Sequence, residues 1–148
     1  MDHARTLLIV NPAAGGGRAA RALDRVLEEL APLRPFDVFV TQPGLERPAE
    51  HAAFEAVRAG ATRILVLGGD GSSSQAVNGI YRAGGVEALG RVALGLLPAG
   101  TGRDYARSAG ISRDPVAAAR TLARGAAARR VDVQIGRASC RERVYVLV

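Results

Sequence analysis

Short apolar runs alternate with amphipathic segments along the chain. Runs rich in branched apolar side chains predict strands at 6–12, 36–41, 63–69, 91–98 and 129–135. The segments between them carry apolar residues at helical spacing and predict helices at 13–32, 49–60, 72–84, 103–110 and 114–125. The hydroxyls of Ser72 to Ser74 are expected to cap the third helix, and Asp114 followed by Pro115 is expected to cap the last.

Strict alternation of strands and helices is typical of a parallel sheet with helices on both faces. Ligands of such sheets bind at the carboxyl ends of the strands. The glycine- and hydroxyl-rich sequences of this chain all follow predicted strands, and they should therefore converge on one edge of the sheet. These sequences are Asn11 to Gly17, Thr41, Gly68 to Ser74 and Pro98 to Asp104.

The length and composition of the chain exclude several classes of protein and of site. The chain has 148 residues, enough for one domain with a full core, and no apolar run of the ~20 residues that span a membrane. With no signal peptide recognised, a cytoplasmic location is expected. Cys140 stands alone, and His3 and His51 are too far apart to suggest a zinc site.

The formal charge of +6 comes from arginine without any lysine. A Walker-type phosphate loop is excluded because that loop needs its lysine. The positive charge suits a nucleotide or an anionic membrane surface, although an arginine-rich genome would produce the same composition. Nucleic acid is not an expected partner, because six aromatic residues and scattered arginines make a poor stacking surface.

The sequence Gly68-Gly69-Asp70-Gly71 joins a buried strand to a helix. Glycines let the backbone approach a ligand, and the free N–H groups of a helix N-terminus bind anions. Ser72, Ser73 and Ser74 would add hydroxyl donors. Asp70 could hold Mg²⁺ or accept a hydrogen bond or proton from a hydroxyl. The alternative is a simple turn in which Asp70 or a serine caps the helix.

Two further turns strengthen the phosphate interpretation. Gly100-Thr101-Gly102 also lies between a strand and a helix, and the Thr101 hydroxyl can donate to a phosphate. Asp104 would either cap its helix or join a magnesium network. In the turn Asn11-Pro12-Ala13-Ala14-Gly15, the Asn11 amide would bind a phosphate, position the Asp70 turn, or simply form the turn.

Together, "VNPAAGGGR", "GGDGS…VNG" and "LPAGTGRDYARSAGI" resemble the catalytic domain of the diacylglycerol kinase family over residues 5 to 133. The bacterial lipid kinases are especially similar, and sphingosine and ceramide kinases are related. The resemblance implies that Asp70 is essential for phosphoryl transfer and that ATP is bound with Mg²⁺. It also implies a nucleotide site formed by Asn11, Pro12, Gly15, Thr41, Gly68, Gly69, Asp70, Gly71, Ser72, Ser73, Ser74, Gly100 and Thr101.

Three positions depart from the family pattern. Ser72 replaces the usual threonine and keeps the hydroxyl. Gln75 replaces the usual glutamate, which would weaken a supporting ion pair or a magnesium interaction. Arg103 replaces the usual asparagine, and it would either repel a cation or add a phosphate contact.

The resemblance implies an α/β fold of the phosphofructokinase and NAD-kinase type, with three layers and a mainly parallel sheet. Residues 1–135 are expected to be the nucleotide-binding N-terminal domain. Family members add a β-rich C-terminal domain that supplies the general base and much of the lipid site, and the chain is expected to lack it. The tail at 136–148 is expected to be foreign sequence or the start of that domain, the alternative being a hairpin turn and an edge strand at 144–148.

The leading hypothesis is an ATP-dependent kinase for diacylglycerol or a related lipid, peripheral to the membrane, represented here by a fragment that is inactive alone. NAD kinase is an alternative because it shares the Gly-Gly-Asp-Gly sequence, although 98–107 fits the lipid kinases better. A non-catalytic nucleotide-binding or regulatory module is the other alternative. Gln75 and the short chain favour it.

Overall fold

Six strands and five helices make up the computed structural model, which describes residues 5–134 and 141–148. The strands are β1 (Thr6–Val10), β2 (Asp37–Val40), β3 (Arg63–Gly68), β4 (Ala93–Pro98), β5 (Ala128–Gln134) and β6 (Arg141–Leu147). The helices are α1 (Ala14–Glu29), α2 (Pro48–Arg58), α3 (Asp70–Arg91), α4 (Asp104–Ala109) and α5 (Pro115–Ala123). None of the helices described is both long and apolar enough to cross a membrane.

All strands belong to one sheet in the order β2-β1-β3-β4-β6-β5. The first four are parallel, and their register places Val10 beside both Val40 and Leu67, with Gly68 beside Pro98. Strands that are parallel and in step end at the same level. The predicted convergence of the four strand ends on one edge is therefore confirmed.

Helices cover both faces of the sheet, as the alternation predicted. Ile9 and Val66 pack with α2 and α3 on one face, whereas Leu8 and Leu65 pack with α1 and α5 on the other. Neighbouring residues of a strand point to opposite faces, so fully buried strands such as β1 supply both cores. The three-layer α/β architecture follows from this arrangement.

The last two strands account for the one antiparallel pair described in the mainly parallel sheet that was predicted. β5 runs antiparallel to β6, and β6 lies between β4 and β5 rather than at the edge of the sheet. The edge strand foreseen at 144–148 is thus an internal strand at 141–147. Part of the tail predicted at 136–148, residues 136–140, lies outside the described residues.

The serine cap predicted for α3 is wrong. The helix begins at Asp70, its N-cap residue is Gly69, and no side chain caps it. Ser73 Oγ instead donates back to the Gly69 carbonyl at 3.2 Å, which is where a hydroxyl in the first turn of a helix finds its nearest acceptor. The cap predicted for α5 is confirmed, since the Asp114 carboxylate accepts from Val116 N and Ala117 N.

Candidate functional site

The turns after β1 and β3 are joined by one side-chain hydrogen bond. Asn11 Nδ2 donates to Ser72 Oγ over 3.1 Å, while Asn11 Oδ1 accepts from the Ala13 N–H at 3.2 Å. Ser72 is buried although it lies in the first turn of α3. Asn11 therefore shapes its own turn and holds the neighbouring one.

The turn after β4 packs directly on the turn after β3. A methyl group built on Gly100 would lie 2.6 Å from Gly69 Cα, so the two backbones touch where any other residue would keep them apart. Arg18, at the start of the regular part of α1, donates from Nη1 to the Gly100 carbonyl at 3.1 Å. The turns after β1, β3 and β4 are thus held together by backbone contacts and by the Arg18 guanidinium.

Asp70 is held by the fourth strand end. Its Oδ2 accepts a hydrogen bond of 3.3 Å from the Asp104 N–H, the first backbone amide of α4. The Asp104 side chain pairs with Arg107 at 2.5 Å. The structure therefore uses Asp104 through its backbone to orient Asp70, and its carboxylate is engaged within α4.

Three cavities open along this edge of the sheet. The glycine cavity, about 340 Å³, is lined among others by Asn11, Gly15, Gly69, Asp70, Gly100 and Thr101. The threonine cavity, about 280 Å³, is lined by Asn11, Pro12, Thr41, Leu45, Ser72 and Gln75 among others. The tyrosine cavity, about 240 Å³, is lined by Asp70, Ser73, Val77, Leu94, Tyr105 and Asp132 among others.

The cavities meet at particular residues. Asn11 and Ser72 line both the threonine and the glycine cavity, so these two spaces adjoin at the hydrogen bond between them. Asp70 lines both the glycine and the tyrosine cavity. Asp70 therefore lies between two cavities with different linings. The glycine cavity is lined mainly by backbone, and the tyrosine cavity is lined partly by apolar side chains.

Most residues expected at the site line the two adjoining cavities. Pro12 and Thr41 line the threonine cavity. The glycine cavity is lined by Asn11, Gly15, Gly69, Asp70, Gly71, Ser72, Gly100 and Thr101. Gly68 lies beneath them, against Ser72 and Asn11. Ser73 and Ser74 line the tyrosine cavity instead, because successive residues of a helix point about 100° apart.

Two of the three departures from the family pattern, Gln75 and Arg103, have the following local partners. Gln75 Oε1 accepts from the Ala49 N–H at 3.2 Å, which supplies a cap for α2, whose own N-cap residue Arg47 provides none. Arg103 has a left-handed backbone and donates from Nη1 to the Arg113 carbonyl at 3.1 Å. The side chain of Arg103 is thus occupied by a structural contact.

Some residues at the site were not among those predicted from the sequence. Arg18 is one arginine among many on an amphipathic helix, and its bond to Gly100 spans 82 positions of the chain. Tyr105 and Asp132 reach the tyrosine cavity from α4 and β5. Arg18 and Tyr105 lie within the sequences "VNPAAGGGR" and "LPAGTGRDYARSAGI", which were the available signal for these two residues.

A comparison with protein-family models matches residues 5–135 to the diacylglycerol kinase catalytic domain. The chain belongs to the diacylglycerol kinase catalytic domain family. The matched range contains every residue that lines the glycine and threonine cavities. The recognition made from the three glycine-rich sequences is confirmed by this match.

Relatives in the family support the assignment. A diacylglycerol kinase of Mycobacterium tuberculosis is 36% identical over 112 residues, which are 75% of this chain and 34% of that protein. One from Bacillus subtilis is 30% identical over 129 residues, 87% of this chain and 41% of that protein. A sphingoid long-chain base kinase of Arabidopsis thaliana is 27% identical over 124 residues, 82% of this chain and 16% of that protein.

Solved structures share the fold. The crystal structure of a diacylglycerol kinase from Bacillus anthracis superposes with a TM-score of 0.74 at 27% identity, and it covers 88% of this chain and 45% of that one. This likeness confirms the predicted fold class. The chain spans from about a third to less than half of the length of these bacterial relatives.

The family's use of ATP raises the question of a divalent metal. No group of three or more potential metal-ligating side chains occurs within residues 5–134 and 141–148. Mg²⁺ in kinases is commonly bound by one or two carboxylates together with substrate phosphates, without a protein cage. The single carboxylate of Asp70 in the glycine cavity fits that mode of binding.

Proposed function

We propose that this domain binds ATP and takes part in transfer of its γ-phosphoryl group to the hydroxyl of diacylglycerol or a related lipid. The observation that carries the proposal is the place of Asp70, which lines both the glycine cavity and the tyrosine cavity. A residue shared by two adjoining cavities is suited to a reaction between two ligands. Membership of the family and the named relatives support a lipid as the acceptor.

The nucleotide occupies the threonine and glycine cavities in this proposal. Their adjoining position at Asn11 and Ser72 lets one elongated ligand cross from one to the other. The glycine cavity is walled by backbone of Gly69 and Gly100, which approach each other too closely for side chains and leave N–H groups for phosphate oxygens. The nucleoside would lie in the threonine cavity, beside Thr41.

Phosphoryl transfer depends mostly on positioning and on electrostatic stabilisation of charged oxygens. A bond forms between the lipid oxygen and the γ-phosphorus, the bond to the leaving ADP oxygen breaks, and the lipid hydroxyl gives its proton to a general base that we place outside this domain. Asp70 would accept a hydrogen bond from that hydroxyl and aim it at the phosphorus, held in turn by the Asp104 N–H. Mg²⁺, bound by Asp70 and the phosphates, would neutralise the developing negative charge.

The domain limits proposed from sequence, 1–135 for the nucleotide-binding unit, accord with the matched range 5–135. The relatives named above are more than twice as long as the part that this chain matches. We therefore propose that acceptor binding and the general base need protein beyond this domain. The 148-residue chain by itself is expected to bind ATP weakly without turnover.

Radiolabelled ATP with a panel of acceptors tests the proposal on the intact protein that carries this domain. Diacylglycerol, a sphingoid base and NAD⁺ form the panel, because NAD⁺ separates the NAD kinase alternative from a lipid kinase. Asp70→Ala is expected to abolish lipid phosphorylation and to leave the fold intact, since Asp70 is exposed. Asp24→Ala, an exposed aspartate on α1, is the matched control.

The outcomes separate the alternatives. Undiminished activity of Asp70→Ala would rule out the assigned role, and labelling of NAD⁺ in place of lipid would rule out the lipid acceptor. ATP binding without labelling of any acceptor would favour a nucleotide-binding module. Robust lipid phosphorylation by residues 1–148 alone would contradict the need for further protein.

A further inference from the structure

The tyrosine cavity is lined by both polar and apolar side chains. Asp70 and Asp132 supply carboxylates, while Val77, Leu94 and Val133 supply hydrocarbon surface. A volume of about 240 Å³ suits the head region of an acyl lipid rather than its whole chain. Because it shares Asp70 with the glycine cavity, this is the space in which the proposed acceptor would present its hydroxyl.

Tyr105 brings an unused hydrogen-bond donor to this cavity. Its Oη is buried and has no hydrogen-bond partner among the residues that the structure describes. A buried hydroxyl without a partner costs about 1–3 kcal/mol relative to a paired one. Burial also raises the pKa of the Tyr105 phenol, so the group stays protonated and able to donate.

Two other donor side chains of the cavity are bonded to backbone carbonyls, and the Ser74 hydroxyl, which also lines the cavity, is a second possible donor. Ser73 Oγ donates to the Gly69 carbonyl, and Asn78 Nδ2 donates to the Ser74 carbonyl at 3.0 Å. The side-chain oxygens of Asp70 and Asp132 accept hydrogen bonds from the Asp104 N–H and from Arg143 Nε. The phenol of Tyr105 is therefore suited to a ligand oxygen that carries lone pairs and no hydrogen.

The backbone fixes where Tyr105 stands. It follows Asp104, whose N–H is bonded to Asp70 Oδ2, so the phenol and the carboxylate are tied to one short segment of chain. The ring begins one residue from that bond, at the start of α4, and Gly110 ends the helix in a left-handed conformation. The same cavity is thus lined by Asp70 and by Tyr105, the residue that follows the backbone donor of Asp70.

We propose that the Tyr105 hydroxyl donates a hydrogen bond to an ester carbonyl oxygen of an acylglycerol bound in the tyrosine cavity, and so selects ester lipids as acceptors. The proposal rests on the function proposed above, and it adds a residue that distinguishes acceptors. An acylglycerol has carbonyl oxygens near its free hydroxyl. The hydroxyl can then donate to Asp70 while a carbonyl accepts from Tyr105.

The test compares Tyr105→Phe with Tyr81→Phe in the intact protein. Tyr105→Phe removes one oxygen from the cavity, whereas Tyr81 lies on α3 outside the three cavities. Acceptors are dioctanoylglycerol and its dioctyl ether analogue, which has no carbonyl. Tyr105→Phe is expected to raise the KM for dioctanoylglycerol roughly three- to tenfold, the effect of one lost hydrogen bond, with the KM for ATP unchanged.

Several results would overturn the inference. The ether analogue should be used equally by wild type and Tyr105→Phe, and an equal KM for dioctanoylglycerol in both proteins would refute the hydrogen bond. The unliganded variant should melt at or above the wild-type temperature, because an unpaired hydroxyl is removed. A marked fall in melting temperature would reveal a protein partner and would exclude a ligand role.

The role of Tyr105 can be tested even if the proposed lipid kinase function is wrong. If the wild type phosphorylates neither lipid, calorimetric binding of dioctanoylglycerol to wild type and Tyr105→Phe still decides the inference. Weaker binding to Tyr105→Phe supports it. Equal binding, or no binding to either protein, refutes it.

Discussion

Asn11 and Ser72, which are 61 positions apart in the chain, are joined by a 3.1 Å hydrogen bond between the turns that follow β1 and β3. The bond lies where the glycine and threonine cavities adjoin. A ligand that crosses from one cavity to the other must pass these two side chains. The bond thus couples the conformation of two turns to the shape of the proposed nucleotide site.

A double-mutant cycle measures that coupling. Asn11→Ala and Ser72→Ala should each lower the free energy of unfolding by about 1 kcal/mol, and the double variant should lose about 0.5–1.5 kcal/mol less than their sum. Urea denaturation gives these values, and titration with ATP should show weaker binding for both single variants. Ser108→Ala, whose hydroxyl bonds within α4, is the control. Strict additivity would show that the bond contributes nothing.

Gly100→Ala tests the close approach of two turns. The added methyl group would lie 2.6 Å from Gly69 Cα, and backbone cannot move aside as a flexible side chain can. Overpacking of this kind costs about 1–3 kcal/mol, and the displaced turn should also weaken ATP binding. Gly90→Ala, on α3 with open space around the new methyl, should be neutral or stabilising by up to about 1 kcal/mol. Equal stability of the two variants would contradict the contact.

Gln75 is expected to matter through α2. Gln75→Ala removes the acceptor for the Ala49 N–H and should lower the free energy of unfolding by about 1 kcal/mol. Gln75→Glu keeps an acceptor and adds negative charge at a helix N-terminus, which should stabilise by about 0.3–1 kcal/mol. Thermal unfolding of the two variants and wild type checks the order. Equal destabilisation by both substitutions would show that the hydrogen-bond acceptor at position 75 does not stabilise α2.

The ion pair of Glu29 and Arg120 makes a pH-dependent contribution to stability. The hydrogen bond from Arg120 lowers the pKa of Glu29 below its ordinary value of 4.5, and the same pair raises the pKa of Arg120. A lowered folded-state pKa means that the contribution is present above pH 4.5 and is lost as the pH falls through the lowered value. The pair joins α1 to α5 at 2.6 Å.

Arg120→Gln should therefore be less stable than wild type near neutral pH and should approach wild type under acid. Urea midpoints measured from pH 7 downward follow the difference. Arg58→Gln removes an exposed charge from α2 and should show no such convergence. A difference that is constant with pH would contradict the assigned ion pair.

Much of the site could be predicted from the sequence because its turns depend on the backbone preferences of neighbouring residues. Glycine and proline end strands and begin turns through their own backbone preferences, so Asn11-Pro12, Gly68 to Gly71 and the Gly100 turn could be placed after strands from composition alone. Parallel pairing then required these turns to share an edge. The register of Val10 with Leu67 and of Gly68 with Pro98 bears this out.

The same reasoning did not predict the directions in which the side chains of the site point. Ser73 and Ser74 follow Ser72 in sequence, yet the start of α3 at Asp70 points them into a different cavity. The serine cap failed because the helix starts earlier, at Asp70, with Gly69 as the N-cap residue, so the serines lie inside its first turns. A shift of one residue in a helix start turns each side chain by about 100°.

The sequence by itself determined the order of elements, the edge on which the glycine turns meet and the family to which they belong. Tertiary structure alone decided that β6 lies inside the sheet, that Arg18 reaches Gly100, and that Asp70 stands between two cavities. Backbone preferences act over a few neighbouring residues and can be read along the chain. Contacts between residues 30 to 80 positions apart depend on how packed helices and strands are oriented in space.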